Sequence, residues 1–131
     1  MRGIVRALEA KAAPKPIVWI ASSRDDLRSF PEDIKDRVGH ALWFAQTRRT
    51  HDSVKALKGF GGAHVLEVVE SFEGNAYRAV YTVKFESYVY VLHCFQKKSK
   101  RGMRTPMLDA KLIESRLKLA EADHRKRTGG K

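Results

Sequence analysis

A single cysteine in 131 residues excludes an internal disulfide framework. That residue, Cys94, lies in an apolar run. It reads as a small core residue of a protein kept in a reducing cytoplasm. No apolar stretch approaches the roughly 18 residues of a membrane span. Residues 1–13 carry Arg2, Arg6 and Lys11 without a continuous apolar segment, so they do not read as a signal peptide. Acidic residues are also scarce: 15 Asp and Glu stand against 26 Lys and Arg, a net charge of +11. Such an imbalance points to nucleic acid, an anionic surface or an acidic protein partner; the bland alternative is a merely soluble basic protein. No cluster of carboxylates, histidines or cysteines has metal-ligand spacing. Gly59-Phe60-Gly61-Gly62 has no third glycine opening a helix, so it reads as a turn rather than a dinucleotide fingerprint. Neither a metal nor a cofactor is expected.

With 43% hydrophobic residues, a chain of this length can bury one core, and a single domain is expected. Residues 1–15 read as a peripheral N-terminal segment in which Ile4, Val5 and Leu8 form a short apolar face. The domain proper spans 16–122, and the basic residues of 123–131 read as a flexible tail. Residues 17–21 form a first strand, and one or two helical turns follow over 24–30. Ser29-Phe30-Pro31-Glu32 starts a helix, with Ser29 as cap and Glu32 closing a capping box. Ile34, Val38, Ala41, Leu42 and Ala45 then recur at helical spacing to about residue 46 or 48. Residues 49–63 are a long connection. Strands over 65–71, 76–85 and 88–96 are joined by short turns, which makes an antiparallel meander. Thr105 caps a last helix with Pro106 at its first position and Leu108, Leu112, Ile113, Leu117 and Ala120 as its buried stripe. Trp19 and Trp43 are expected in the core. The expected architecture is α+β, with helices packed on one face of the meander sheet and the other face open.

Alternation along the meander sorts the candidate site residues. Tyr77, Ala79, Tyr81, Val83 and Phe85 share the face toward the helices, which leaves Arg78 and Lys84 facing outward. The last strand reads as Tyr88, Tyr90, Leu92 and Cys94 on one face and Val89, Val91, His93 and Phe95 on the other. It ends in a cationic loop, Lys97-Lys98-Ser99-Lys100-Arg101-Gly102-Met103-Arg104, with five of the 26 basic residues in eight positions. Charges anchored at a strand end have a fixed address and suit phosphate binding better than a free tail. An outward Arg78 together with Lys97 and Lys98 suits phosphoryl chemistry on RNA. A ribose 2′-hydroxyl attacks its phosphodiester, and fixed cations stabilise the charge that develops. His93 is a candidate acid or base, although a histidine between hydrophobic strand positions is more often a hydrogen-bonded core residue. Lys84, Lys100, Arg101 and Arg104 complete the expected RNA-binding set. Whether Lys97 and Lys98 approach Arg78 depends on register.

Leu57-Lys58-Gly59-Phe60-Gly61-Gly62, Tyr77-Arg78-Ala79-Val80-Tyr81, Leu92-His93-Cys94-Phe95-Gln96-Lys97-Lys98-Ser99-Lys100, Thr105-Pro106 and Arg116-Leu117-Lys118 resemble the phage-derived Gp49-like family. That family is related to the HigB and RelE toxins of type II toxin–antitoxin systems. The resemblance covers residues 16–122 and implies a RelE-like fold. It also implies a cytoplasmic, metal-independent endoribonuclease that cuts messenger RNA on the ribosome and is neutralised by a helix-turn-helix antitoxin. Arg78 matches the family's phosphate-stabilising arginine, and Lys97 and Lys98 fall where relatives carry basic active-site residues; His93 carries over less well. The strand Val65-Leu66-Glu67-Val68-Val69-Glu70 carries acids where the wider RelE group often has basic residues. That departure motivates one alternative, a noncatalytic RNA- or ribosome-binding module; a second is a phage accessory protein that works through protein contacts, its +11 charge answering an acidic partner.

Overall fold

The computed structural model describes residues 13–97 and 106–129. The N-terminal apolar face at Ile4, Val5 and Leu8, the cap at Thr105 and the loop cations Lys98, Lys100, Arg101 and Arg104 lie outside the described residues.

Strands β1 (Ile17–Trp19), β2 (Val54–Ala56), β3 (Val65–Phe72), β4 (Asn75–Thr82) and β5 (Val89–Lys97) form a five-stranded sheet in the order β1-β5-β4-β3-β2. Helices α1 (Ser23–Arg28) and α2 (Glu32–Gln46) follow β1, and α3 (Met107–Arg127) follows β5. The meander β3-β4-β5 is antiparallel, and β1 joins β5 in parallel. Its tightest turn is local chemistry. Glu73 and Gly74 both take positive φ, 50° and 80°, as the two-residue turns that match strand twist require.

Helices cover both faces of the sheet, not one. Ile34, Val38, Ala41, Leu42 and Ala45 of α2 pack on Val68, Tyr77, Ala79, Tyr81, Val89, Val91 and Cys94. On the opposite face Ile113, Leu117 and Ala120 of α3 pack on Val65, Val80, Tyr90 and Leu92. The cause is β5: a strand apolar on both sides needs apolar cover on both sides. The α3 stripe is shorter than expected, because Leu108 and Leu112 are exposed. Trp43 is exposed as well, at 45%.

Three local departures set the directions of side chains on the sheet. The expected loop 49–63 contains β2, which pairs with β3. Strand β4 ends at Thr82, so Phe85 crosses to the α3 side while Val83 stays with the α2 side. A β-bulge shifts the register between Val80 and Tyr81: Val80 opposes His93 and Tyr81 opposes Val91. The extra residue, Leu92, breaks the alternation, so Leu92 and His93 both face α3.

The cap expected at Ser29 does not form. Pro31 and Pro106 hold the cap positions without a side-chain bond, and Ser29 instead donates to the Asp26 carbonyl at 2.6 Å. The chain just before β1 is clamped. Lys15 is buried; its amide donates to the Gln46 carbonyl, its carbonyl accepts from Gln46 Nε2 at 2.8 Å, and its Nζ donates to the Phe85 carbonyl at 3.0 Å. Burial, followed by repulsion from Arg48, lowers the Lys15 pKa. Helix α3 continues through Arg127, into the segment assigned to the tail.

Candidate functional site

Pairing register places the polar groups of the α3-side face in rows. Val69, Arg78 and Phe95 form one row, Glu67, Val80 and His93 the next, and Ser71, Ala76 and Lys97 the row on the other side. Arg78 and Lys97 are therefore diagonal neighbours on one face, a separation of roughly 7–8 Å at their backbone positions. This answers for Lys97 the question of register that the sequence left open.

Arg78 lies on the expected face but is not solvent-facing. It is 3% exposed, and its Nη1 donates to both carboxylate oxygens of Glu67, at 3.0 and 3.2 Å. Glu67 is the diagonal neighbour of Arg78 on β3 and is itself buried. A guanidinium this deep requires a compensating charge, and Glu67 supplies it. The acids of β3 thus have distinct uses, since Glu70 instead meets Arg37 of α2 at 3.5 Å.

His93 is the hydrogen-bonded core histidine that its place between hydrophobic strand positions favoured over an acid or base. Its Nε2 is 2.7 Å from Asp109 Oδ1, its Nδ1 is 3.2 Å from Arg116 Nη1, and its ring stacks on Phe95. Because an arginine only donates, Nδ1 accepts from Arg116 and Nε2–H donates to Asp109. Both ring nitrogens are engaged in tying α3 to β5. Arg116 extends the network by donating to the Leu92 carbonyl at 3.0 Å and to Ser22 Oγ at 3.1 Å.

Lys84 belongs elsewhere. It follows the far end of β4 and pairs with Glu121 of α3 at 2.6 Å, several pleats from Arg78. Lys97, the last residue of β5, is half-buried and carries the face out to the strand end. Among the described residues no group of three or more His, Cys, Asp or Glu is placed to hold a metal ion. No helix there is long and apolar enough to cross a membrane. Cys94 faces α2, and burial pushes its thiol up to about 12, so it is no nucleophile near neutral pH.

Sequence reasoning missed Glu67, Asp109 and Arg116 as site members. A signal existed for two of them: Arg116 interrupts the apolar α3 stripe of Ile113, Leu117 and Ala120, and Asp109 lies seven residues earlier on the same helix face.

The family model described as Phage derived protein Gp49-like (DUF891) matches residues 25–118. The chain belongs to this family. The Gp49-like family is the phage-derived, HigB-like toxin group, and the matched span runs from α1 into α3, covering Glu67, Arg78, His93, Lys97, Asp109 and Arg116. No curated protein and no solved structure matches the chain.

Proposed function

We propose that this Gp49-like protein is the toxin of a type II toxin–antitoxin pair, with a RelE-like fold, acting as a ribosome-dependent endoribonuclease on messenger RNA. The observation that carries this reading is the placement of Arg78 and Lys97 as diagonal neighbours on one face of the sheet. In the proposed reaction a ribose 2′-hydroxyl loses its proton and attacks its own phosphodiester; the P–O5′ bond breaks, the 5′-oxygen takes up a proton and leaves as a hydroxyl, and a 2′,3′-cyclic phosphate remains. The phosphate displaces the Glu67 carboxylate from Arg78, and the guanidinium fork then stabilises the charge of the transition state. Lys97 holds a phosphate oxygen, and Lys98 joins it in binding and proton transfer. Lys100, Arg101 and Arg104 grip the flanking backbone. His93, with both nitrogens engaged, is a positioning residue for α3 in this scheme, and Lys84 takes no part. No metal is invoked. A helix-turn-helix antitoxin is the proposed neutralising partner.

The test maps RNA 5′ ends in cells expressing the wild type, Arg78→Lys and Lys97→Ala at matched protein levels. Arg78→Lys keeps the charge paired with Glu67 but loses the fork, so cleavage should fall at least about tenfold while the protein stays folded. Cleavage unchanged in both variants would remove this face from the reaction.

A second reading is a noncatalytic RNA- or ribosome-binding module, and the Arg78–Glu67 pair favours it: a guanidinium neutralised by its own protein is a poor electrophile. Salt-sensitive binding to ribosomes with no new RNA ends would select this reading.

A further inference from the structure

Helix α3 presents a second surface that the RNA reading does not use. Its sheet-facing side is Ile113, Arg116, Leu117 and Ala120. Turned away from the sheet are Leu108 (83% exposed), Leu112 and Leu119 (52% exposed). Ser115 and Ala122 fill the gaps, so positions 108, 112, 115, 119 and 122 follow the 4-3-4-3 spacing of a coiled-coil seam. Beside this seam runs a column of exposed cations spaced by seven residues: Lys111, Lys118 and Arg125. We propose that this face docks an amphipathic helix of a partner protein, with an apolar a/d seam flanked by carboxylates.

The charge column decides between occupants. A second copy pairing antiparallel would set one column of cations against another. Paired in parallel, Lys111 would face the second copy's cationic position 116 and Lys118 would face Asp123, which is already bonded to Tyr90 and Arg127. Residues 1–12 carry Arg2, Arg6 and Lys11 against Glu9 alone, so their charge is of the wrong sign. A membrane-binding helix uses a wide apolar face with bulky aromatics, whereas this seam is one leucine wide and has none. An acidic helix satisfies both seam and column. The docking face belongs to α3 alone and would serve whether or not the chain cleaves RNA.

The experiment uses the full chain and two synthetic helical peptides of about three heptads, both with leucine at a and d. One carries glutamate at e and g, the other lysine. The glutamate peptide should bind, with affinity that weakens as salt rises. Leu112→Glu with Leu119→Glu should weaken it at least about tenfold, while circular dichroism and thermal unfolding stay as in the wild type because both leucines are exposed. The triple variant Lys111→Glu, Lys118→Glu, Arg125→Glu should switch preference to the lysine peptide, an outcome that misfolding cannot mimic. Four results overturn the proposal: no binding of either peptide, equal binding of both, self-association of the wild type through the same leucines in sedimentation, or leucine-dependent binding to anionic lipid vesicles in place of the peptide.

Discussion

Arg78 and Glu67 make each other tolerable in the interior, and that makes them separable by experiment. Glu67→Ala alone leaves a guanidinium buried without its anion and should cost about 3–5 kcal/mol in urea unfolding. The paired change Glu67→Leu with Arg78→Met should restore most of that loss, because apolar groups of similar volume replace an ion pair at little net cost. If the single and paired variants are equally unstable, packing rather than charge governs the site. Cys94 gives a second residue-scale outcome. With its thiol held up near 12 by burial, it should resist a disulfide reagent at pH 8 in the native protein and react in full once urea unfolds the chain. The side of the sheet on which position 78 lies was legible from alternation of two. Its burial was not, because it depends on a glutamate eleven residues away in sequence, brought alongside by a two-residue turn.

Helix α3 is fastened by side chains rather than by apolar area alone. Near its start Asp109 and Arg116 hold His93; near its end Tyr90 donates to Asp123 at 2.8 Å, and Arg127 Nε bonds the same carboxylate at 2.6 Å. Arg116→Met removes bonds to His93, the Leu92 carbonyl and Ser22, and should cost about 2–3 kcal/mol in chemical unfolding. Burial tends to raise the Asp123 carboxyl, but the hydrogen bonds from Arg127 and Tyr90 outweigh it and leave its pKa below the ordinary 3.8. The folded state therefore holds fewer protons there than the unfolded state. The stabilisation is fully present above the unfolded value and is lost as pH falls through the folded one. Asp123→Asn should flatten that acid limb of a stability–pH curve while leaving neutral cooperativity intact; an unchanged limb would mean other carboxylates carry it. Elements with strong periodicity, α2 and the meander, were readable in the sequence. The bulge at Leu92 was not, since nothing local to residues 89–97 marks an extra residue; the register is set by where Val80 and Tyr81 find partners. The three-residue strand β2 was hidden for the same reason: it exists by pairing with β3.

For the molecule as a whole, the excess of basic residues should appear as a salt-dependent affinity for RNA. Each phosphate neutralised on a single strand contributes about −0.7 to the slope of log affinity against log salt. Lys97→Ala should reduce the slope by about that amount, measured by titration of labelled RNA at several salt concentrations, whereas Lys84→Ala, paired with Glu121 far along β4, should change it little. The order of strands and helices made the α+β class legible, and β5's two apolar faces already called for the second cover that α3 supplies. The parallel pairing of β1 with β5 reaches across about half the chain. During synthesis β1 leaves the ribosome long before the strand it must lie against exists, and α3 comes later still. A product that stops before β5 lacks the strand on which Lys97 stands diagonal to position 78, so an activity that needs both side chains is withheld until β5 has been made.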